Sequence, residues 1–441
     1  MRRCAFGFGL ACLALVAVSG CSSPPAPAPT PTLPTPVVAP IRVVIAPPQV
    51  VALANAFEHQ FVARDYGLQW SELAPQAQAI WPSESARATM LTRKFSDAAL
   101  ASISVGAPTL ESTWTAPENP SVQVANVWSL PVALDFADPA ALRPAGVAAL
   151  FAMTSLQIVL DPASGTAEIL GEGPESLDAP IIVPASIPTV SLDVPILMYH
   201  LVDLVPPRSI EPSTYGWKLE IGLTTLPGAF DAQMAYLVSI HATSISLQHL
   251  ADALLYGLQL PPHPFVITFD DGRLSPWTNA VPVLRRDGFT AVFFPCTALI
   301  GGKVGPQTYM TASEIKNLAA TGFSIEDHTV NDGTDFFSAG VHTLDLLTNR
   351  TKAVLQTLTG DPIQFIAYTG LWPWPMSTQG TTREASMFAT LASYGYVGGV
   401  QDLRVDSATE TSTALWQLPR LRVGLTTGIG FLEHWFSAQP S

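Results

Sequence analysis

The chain has 441 residues, of which 48% are hydrophobic and 13% are charged, and its formal net charge is −14. This length is enough for two or three domains with sizeable cores. The acidic balance argues against nucleic acid and anionic lipid headgroups as partners, because both carry negative charge themselves.

The first 20 residues have the layout of a secretory signal peptide. Two arginines precede an apolar run over residues 5–18, and two small residues come before Cys21. The run is too short for a membrane-spanning helix and has the wrong flanks. Its ending, VSGC, resembles a bacterial lipobox, which implies cleavage before Cys21 and lipid on its sulfur. The protein is then extracytoplasmic and anchored to a bacterial membrane. An ordinary signal or a short anchor helix is the alternative.

Residues 21–44 form a proline-rich linker, followed by a first globular region over residues 45–180. The string SSPPAPAPTPTLPTPVVAP cannot pack into a core and favours an extended, semi-rigid spacer. The globular region begins with apolar residues at helical spacing and continues with alternating runs such as VQVANVWSLPVALDF. This order predicts a small α+β domain, and the sequence resembles the NTF2-like domains that precede enzymes on some bacterial lipoproteins. It contains no catalytic constellation, so we expect it to bind, to act as a spacer or to pack against the next domain.

A connector over residues 181–192 leads into a second pattern that covers residues 193–441. Strand-like runs, among them VPILMYHLV, PFVITFDDG, FSIEDHTV and QFIAYTG, alternate with helical runs. Alternation of this kind predicts a parallel sheet, and the number of repeats suits a closed α/β barrel of the (β/α) type. In such barrels, the chemistry lies where the strands end.

Polar residues follow four of these strands, at positions that a barrel brings to one rim. They are His200, Asp270, Asp271, Asp327, His328 and Tyr368. Two adjacent carboxylates repel one another, and a divalent cation would offset that repulsion. His328 and one aspartate could bind the cation while the other aspartate acts as a base toward water. Taken alone, an Asp-Asp-Gly string is also a common turn, and His200 could equally be a core histidine.

Several landmarks in this half of the chain resemble the polysaccharide deacetylases with a NodB homology domain. TFDDG at residues 268–272 matches the family's first motif, and AVFFPCTALIGG, FSIEDHTV and LPRLRV follow in the family's order. The resemblance implies a deacetylase-type barrel that holds one divalent metal. It makes Asp270 the general base, Asp271 and His328 metal ligands, and Arg420 the residue that orients Asp270.

The histidine motif departs from the family pattern, which has a second histidine four residues after the first. Asp332 stands at that position. A ligand set of Asp271, His328 and Asp332 is rich in oxygen and favours Mn, Fe or Co relative to Zn. The surrounding string NDGTD is also rich in turn residues, so Asp332 could belong to a turn. In that case Asp327 or Asp335 could take its place.

The third motif reads AYTGLWPWP, in which Tyr368 keeps the family's aromatic residue and Thr369 replaces its proline. Trp372 and Trp374 could form a platform on which a sugar ring stacks, or they could cover an irregular loop. His200 and Tyr368 are further candidates for contact with the substrate. Cys296 is interpreted as a small buried hydrophobic residue.

The family resemblance, together with the strand-end residues, implies a metal-dependent hydrolase that removes N-acetyl or O-acetyl groups from a surface carbohydrate, with Zn, Co, Mn or Fe as the metal. A binding or scaffold protein that keeps the barrel without turnover is the rival class, because residue 332 is not histidine. An acetyl-ester hydrolase on the same barrel would use the same residues.

Overall fold

The structure is a computed structural model that describes residues 45–96, 98–161, 163–171, 173–204, 220–331, 340–369, 382–404 and 409–437, with side chains omitted at 402–404. All of these belong to one compact unit, Ile45–Ser441. Cys21, the signal peptide and the proline-rich linker lie outside the described residues, and so do Asp332, Asp335, Trp372 and Trp374. Within the described ranges, no helix combines the length and the apolar character that crossing a membrane requires.

The first region consists of helices followed by an antiparallel sheet. The helices are α1 (Pro48–Ala63), α2 (Tyr66–Glu72), α3 (Pro75–Ala79), α4 (Glu84–Lys94) and the short α5 (Val147–Leu150). The strands are β1 (Leu100–Val105), β2 (Thr109–Ala116), β3 (Asn119–Phe136), β4 (Ser155–Leu160) and β5 (Ala167–Gly171). The long β3 pairs with β1, β2 and β4, and β4 pairs with β5. The region is therefore α+β, while its resemblance to NTF2-like domains stays a prediction.

The second region alternates strands and helices along the chain. Its strands are β6 (Ser191–Asp193), β7 (Ile196–Tyr199), β8 (Leu201–Val202), β9 (Thr224–Thr225), β10 (Thr243–Ser244), β11 (Pro264–Phe269), β12 (Val292–Phe293), β13 (Lys303–Val304), β14 (Gln307–Thr308), β15 (Ser324–Ile325), β16 (Phe365–Ala367), β17 (Gly398–Arg404), β18 (Thr409–Thr411) and β19 (Leu418–Arg422). Its α-helices are α6 (Pro227–Ser239), α7 (Leu247–Tyr256), α8 (Val281–Asp287), α9 (Ala312–Ala319), α10 (Val341–Leu344), α11 (Arg350–Thr359), α12 (Thr382–Ser393) and α13 (Ile429–Phe436).

Seven parallel strands of this region form a closed barrel. They follow the order β15-β12-β11-β7-β19-β17-β16, and β10 pairs with the first residues of β11. The ring closes between its two end strands. Asp327 N donates to Phe365 O at 3.2 Å, and Ala367 N donates to Asp327 O at 2.9 Å. The predicted (β/α) barrel is thereby confirmed.

Alternate residues of the barrel strands enter two different cores, as the period of two in a β-strand requires. On β11, Phe265, Ile267 and Phe269 pack toward the outer helices, in the same cluster as Phe230 of α6. Val266 belongs to a second cluster, which also contains Phe95 of the first region. Hydrophobic packing therefore continues from the barrel into the first region.

Buried polar contacts accompany this packing. Lys94, at the end of α4, forms an ion pair with Asp252 of α7 at 3.0 Å, and both side chains are fully buried. Arg93 donates to the carbonyl oxygen of Tyr256 at 3.0 Å. Of the roles expected for the first region, packing against the barrel is the one that the structure displays. The predicted boundaries at residues 180 and 193 stay predictions.

Local sequence signals set the helix ends. Ser83 caps α4, with its hydroxyl accepting from Ala86 N at 3.1 Å, and serine is among the residues favoured at this position. Thr311 and Glu314 form a reciprocal capping box at the start of α9. These caps fix where α4 and α9 begin, and at α9 the cap also sets the end of the barrel loop that precedes the helix.

Candidate active site

The Asp-Asp-Gly string forms a tight turn directly after β11. Asp270 N donates to Tyr199 O at 3.0 Å, which extends the pairing between β11 and β7 by one residue. Asp271 and Gly272 then take positive φ values of 69° and 75°. A Cβ atom on Gly272 would lie 2.8 Å from Pro295 Cβ, so only glycine fits there. The glycine lets the segment after β12 approach the two aspartates.

Asp270 forms a bidentate ion pair with Arg420 of β19. The guanidinium Nη1 and Nη2 atoms each lie 2.7 Å from one carboxylate oxygen, and both side chains are buried. Burial alone would raise the pKa of Asp270, but the charge of Arg420 outweighs it and holds the pKa below its usual range. Asp270 is therefore ionised at neutral pH, and Arg420 lies where the predicted orienting role requires it.

Asp271 is held by a second arginine, which the sequence reasoning missed. Arg273 Nε donates to Asp271 Oδ2 at 3.0 Å, and the guanidinium stacks on the Tyr309 ring at 5.2 Å. Asp271 Oδ1 lies 3.5 Å from His328 Nε2, and this oxygen is buried without a hydrogen-bond partner among the described residues. Burial raises the pKa of Asp271, but a hydrogen bond from the His328 ring in its protonated form, together with the Arg273 charge, lowers it well below its usual range.

His328 follows β15 and presents one ring nitrogen to Asp271. Its Nδ1 lies 2.8 Å from the carbonyl oxygen of Ala367, which can only accept, so Nδ1 carries the proton. In the neutral ring Nε2 then has a lone pair, directed at Asp271 Oδ1. A backbone carbonyl that fixes the tautomer in this way is the usual support of a metal-binding histidine.

Cys296 lies beside these two residues. One ligand atom from each of Asp271, Cys296 and His328 can be chosen so that all three are within 4.8 Å of one another, and the three residues are buried. Cys296 Sγ lies 3.4 Å from the carbonyl oxygen of His328, and Cys296 N donates to Asp271 O at 3.3 Å. The predicted burial of Cys296 is correct, but its interpretation as a small hydrophobic residue did not take account of Asp271 and His328 beside it.

The prediction that Asp327 could serve as a substitute metal ligand is wrong, because both of its carboxylate oxygens accept hydrogen bonds from neighbouring residues. Its Oδ1 accepts from Thr329 N at 2.8 Å, and its Oδ2 accepts from the hydroxyls of Thr351, at 2.6 Å, and Tyr396. Burial raises the pKa of Asp327 to about 6. Both oxygens therefore serve to fix the loop after β15.

His200 lies on the other side of Asp270. Its Nε2 is 3.8 Å from Asp270 Oδ2, and the ring is only 5% exposed. Burial lowers the pKa of His200 to about 4, so the ring is neutral at pH 7. Its Nδ1 has no hydrogen-bond partner within the described ranges. His200 is thus placed at the rim beside the candidate base.

Tyr368 does not face this rim, and its predicted contact with substrate is corrected. The side chain is fully buried, and its hydroxyl donates to the carbonyl oxygen of Trp416 at 2.8 Å. A Cβ atom on Gly399 would lie 2.5 Å from the Tyr368 hydroxyl oxygen. Tyr368 therefore packs between β16 and its neighbours.

The geometry fits a divalent cation between Asp271 and His328. Metal bonds of 2.0–2.2 Å to nitrogen and oxygen imply a separation of about 3.4 Å between two ligands of a tetrahedral site. The observed 3.5 Å between Asp271 Oδ1 and His328 Nε2 is close to that value. Cation binding would also give the buried Oδ1 atom a partner. The fold and the site together define a (β/α)-barrel protein with a candidate metal site, formed by Asp271, Cys296 and His328, at the carboxyl ends of its strands.

Comparison with known proteins identifies the family that part of this chain resembles. Residues 258–378 match the family model described as polysaccharide deacetylase. The YxkH protein of Bacillus subtilis (strain 168), whose name places it among the polysaccharide deacetylases, is 38% identical over 66 residues, which are 15% of this chain and 22% of YxkH. Residues 258–378 thus match the polysaccharide deacetylase model, in agreement with the motifs in this half of the chain, while the chain matches less than a quarter of YxkH.

Two solved structures are similar to this chain at low sequence identity and with TM-scores below 0.5. The Streptococcus pyogenes deacetylase PplD, solved in complex with acetate, is 22% identical with a TM-score of 0.46, covering 57% of this chain and 100% of PplD. IcaB from Ammonifex degensii is 21% identical with a TM-score of 0.43, covering 56% of this chain and 97% of IcaB.

Proposed function

We propose that the protein is a metal-dependent hydrolase that removes the acetyl group of an N-acetylated sugar in a carbohydrate. The observation that carries this proposal is the arrangement of the two aspartates. Asp270 is ionised against Arg420, while the adjacent Asp271 directs an unpartnered oxygen at His328. One carboxylate is thus equipped as a base and the other as a ligand.

The residues that would hold the metal are Asp271 and His328, and Asp332 stays a predicted ligand outside the described residues. When bound, a divalent cation would polarise the acetyl carbonyl and make water easier to ionise. Arg273 and the Ala367 carbonyl keep the ligand atoms of Asp271 and His328 in position.

Asp270 performs the proton transfers in this mechanism. It accepts a proton from the attacking water, whose oxygen forms a bond to the acetyl carbon. The C–N bond then breaks, and Asp270 returns the proton to the leaving nitrogen, which gives a free amine and acetic acid; the acid then loses its remaining proton to solvent and becomes acetate. Arg420 fixes the direction of the carboxylate oxygens throughout. The neutral ring of His200, 3.8 Å from Asp270 Oδ2, stays a predicted contact for the substrate.

The proposal is tested first by metal content and then by turnover. The metal-free full chain is dialysed against Mn, Co or Zn, and acetate release is measured with N-acetylglucosamine oligomers. Asp271→Ala should lose about one equivalent of metal. Asp270→Asn should keep the metal and release acetate at least about 100-fold more slowly, because proton transfer by a positioned base contributes that much.

The matched control is Asp231→Asn, since this carboxylate is half exposed and pairs with Arg286 on the outer surface. It should behave as wild type in both assays. Equal turnover of wild type and Asp270→Asn would contradict the mechanism. Absence of bound metal in the wild type would favour the rival scaffold function.

We also propose that the protein acts on a cell-surface carbohydrate from an extracytoplasmic position, anchored to the membrane through lipid on Cys21. The signal-like run over residues 5–18, the VSGC ending and the proline-rich spacer support this location. A spacer of this kind would hold a barrel away from the membrane surface, where glycan chains are within reach.

A further inference from the structure

We propose that Cys296 supplies a thiolate ligand to the metal held by Asp271 and His328, so that this site takes Zn²⁺ or Co²⁺ in preference to Mn²⁺. The inference rests on the proposed metal-dependent function and adds the identity of a ligand and the class of metal. It replaces the metal preference expected from a set of two aspartates and one histidine.

The three residues approach one another from the ends of three strands. Asp271 follows β11, Cys296 follows β12 and His328 follows β15, which are neighbours in the barrel. A tetrahedral site with a bond of 2.3 Å to sulfur and 2.0–2.1 Å to nitrogen needs about 3.6 Å between those two ligands. Since the three candidate atoms lie within 4.8 Å of one another, a contraction of about 1 Å would be enough to close the site.

The backbone fixes Cys296 relative to both partners. Cys296 N donates to Asp271 O at 3.3 Å, and Thr297 N donates to Thr329 O at 3.0 Å. Backbone hydrogen bonds therefore connect the segment after β12 to Asp271 on one side and to Thr329, next to His328, on the other. A side chain held in this way requires little reorganisation to reach a metal between them.

The second polar atom of each partner ligand is already bound elsewhere. Arg273 occupies Asp271 Oδ2, and the carbonyl of Ala367 occupies His328 Nδ1. The thiol of Cys296 contacts the carbonyl oxygen of His328 at 3.4 Å, a weak hydrogen bond that is lost when the thiol is deprotonated by a metal. The arrangement directs Asp271 Oδ1 and His328 Nε2 at each other, with the sulfur beside them.

The ligand chemistry determines the metal. Thiolate is a soft ligand and imidazole an intermediate one, and together they favour Zn²⁺ and Co²⁺, whereas carboxylates alone suit Mn²⁺ and Mg²⁺. The competing interpretation is that Cys296 merely fills space as a buried apolar residue. In that case replacing it with alanine should leave metal binding unchanged.

The test uses the metal-free full chain. Co²⁺ is added in steps while the near-ultraviolet sulfur-to-cobalt charge-transfer absorption is recorded, and Zn²⁺ affinity is measured by competition with a chromogenic chelator. In the wild type, the absorption band should increase until one equivalent of Co²⁺ has been added. Cys296→Ser and Cys296→Ala should both lose the band, and their Zn²⁺ affinity should fall at least about 100-fold. Replacing a residue that only supports a metal ligand already lowers metal affinity about 10–100-fold.

The chain offers a matched control, because its other cysteines are Cys4, Cys12 and Cys21. The variant with serine at all three positions should keep the full band. Asp332→Ala should also keep the band. The proposal would be overturned if Asp332→Ala lost the band while Cys296→Ser kept it. Circular dichroism of the metal-free variants excludes loss of fold as the cause.

The outcomes separate this proposal from the proposed function. If Co²⁺ binds in an Asp271-dependent manner without a sulfur band, and Cys296→Ala keeps the wild-type Zn²⁺ affinity, Cys296 is refuted as a ligand while a metal-dependent hydrolase survives. If neither metal binds to the wild type, both proposals fail.

Discussion

Replacing Arg420 with methionine should destabilise the protein strongly and in a pH-dependent manner. The Arg420 side chain is fully buried and donates to both oxygens of Asp270 at 2.7 Å. It also donates to Thr268 Oγ1 at 3.2 Å and to the carbonyl oxygen of Gln401 at 2.6 Å. Methionine keeps much of the volume but leaves Asp270 as a buried carboxylate without its partner.

The expected loss in the free energy of unfolding is about 3–5 kcal/mol at neutral pH, the usual cost of removing one partner of a buried ion pair. Its pH dependence follows from Asp270. In wild type the pKa of Asp270 is lowered, so its stabilising contribution is present above about pH 3.9 and is lost as the pH falls through the folded-state pKa. Without Arg420, burial dominates and raises the pKa. The variant's deficit should therefore grow by up to about 1.4 kcal/mol per pH unit as the pH rises from 4.

Urea unfolding of the full chain, followed by tryptophan fluorescence at pH 4.5 and pH 7.5, measures this effect. The double variant Arg420→Met with Asp270→Asn should recover much of the loss, because no buried charge is left unpaired. A deficit under about 0.5 kcal/mol at pH 7.5 would refute the reasoning, since it would lie within the range of ordinary surface substitutions. A deficit that is equal at the two pH values would refute the part played by Asp270.

Two further predictions concern other parts of the chain. Lys94→Met should lower the free energy of unfolding by about 3–5 kcal/mol, because it leaves Asp252 buried and unpaired, and the double variant Lys94→Met with Asp252→Leu should regain most of it. Urea unfolding measures this loss, and Arg286→Met, which breaks the half-exposed pair with Asp231, is the nearly neutral control. If the unfolding transition of Lys94→Met is the same as that of the wild type, the ion pair between Lys94 and Asp252 does not stabilise the protein. Cys21→Ser should move the protein from the membrane fraction to the soluble fraction of its host and abolish labelling with a radioactive fatty acid, and unchanged membrane association would rule out the lipid anchor.

The sequence was sufficient to predict the barrel and its rim. Runs such as VITF and ILMY are apolar apart from Thr268, as expected for parallel strands that are covered on both faces. Their alternation with helical runs predicts the topology, and the polar residues that end them mark one rim. The first region was predicted as α+β for a similar reason, because its strands alternate and therefore belong to an antiparallel sheet.

The wrong predictions at the site concern which face of the barrel a side chain points to. The position of a residue at the end of a strand does not by itself show that direction. Adjacent residues on a strand point to opposite faces. Asp327 lies in phase with Ile325, which packs toward the outer helices, whereas His328 has the opposite phase. Tyr368 shares its phase with Ile366, another member of the outer core. Knowledge of which apolar residues face outward would have removed Asp327 and Tyr368 from the candidates. The rule does not apply to Asp271, because its positive φ ends the regular alternation of β11 after Phe269 and Asp270.

Cys296 was missed for a different physical reason. A thiol is as compatible with burial as a small apolar side chain, so composition and hydropathy cannot separate a ligand from a packing residue. Its significance depends on the register between β11, β12 and β15, which brings residues 271, 296 and 328 together. Arg273 was missed because its partner is only two residues away, across a turn that requires two positive φ values.

The structure also changes the argument for a metal. From the sequence, two adjacent carboxylates required a cation to offset their repulsion. In the folded protein each carboxylate has its own guanidinium, Arg420 for Asp270 and Arg273 for Asp271, so the pair is already compensated. The case for a metal depends instead on one buried oxygen of Asp271 and one nitrogen of His328 that face each other 3.5 Å apart. Removing the metal should therefore leave the barrel folded, with the two aspartates still ionised and the ligand atoms still in place.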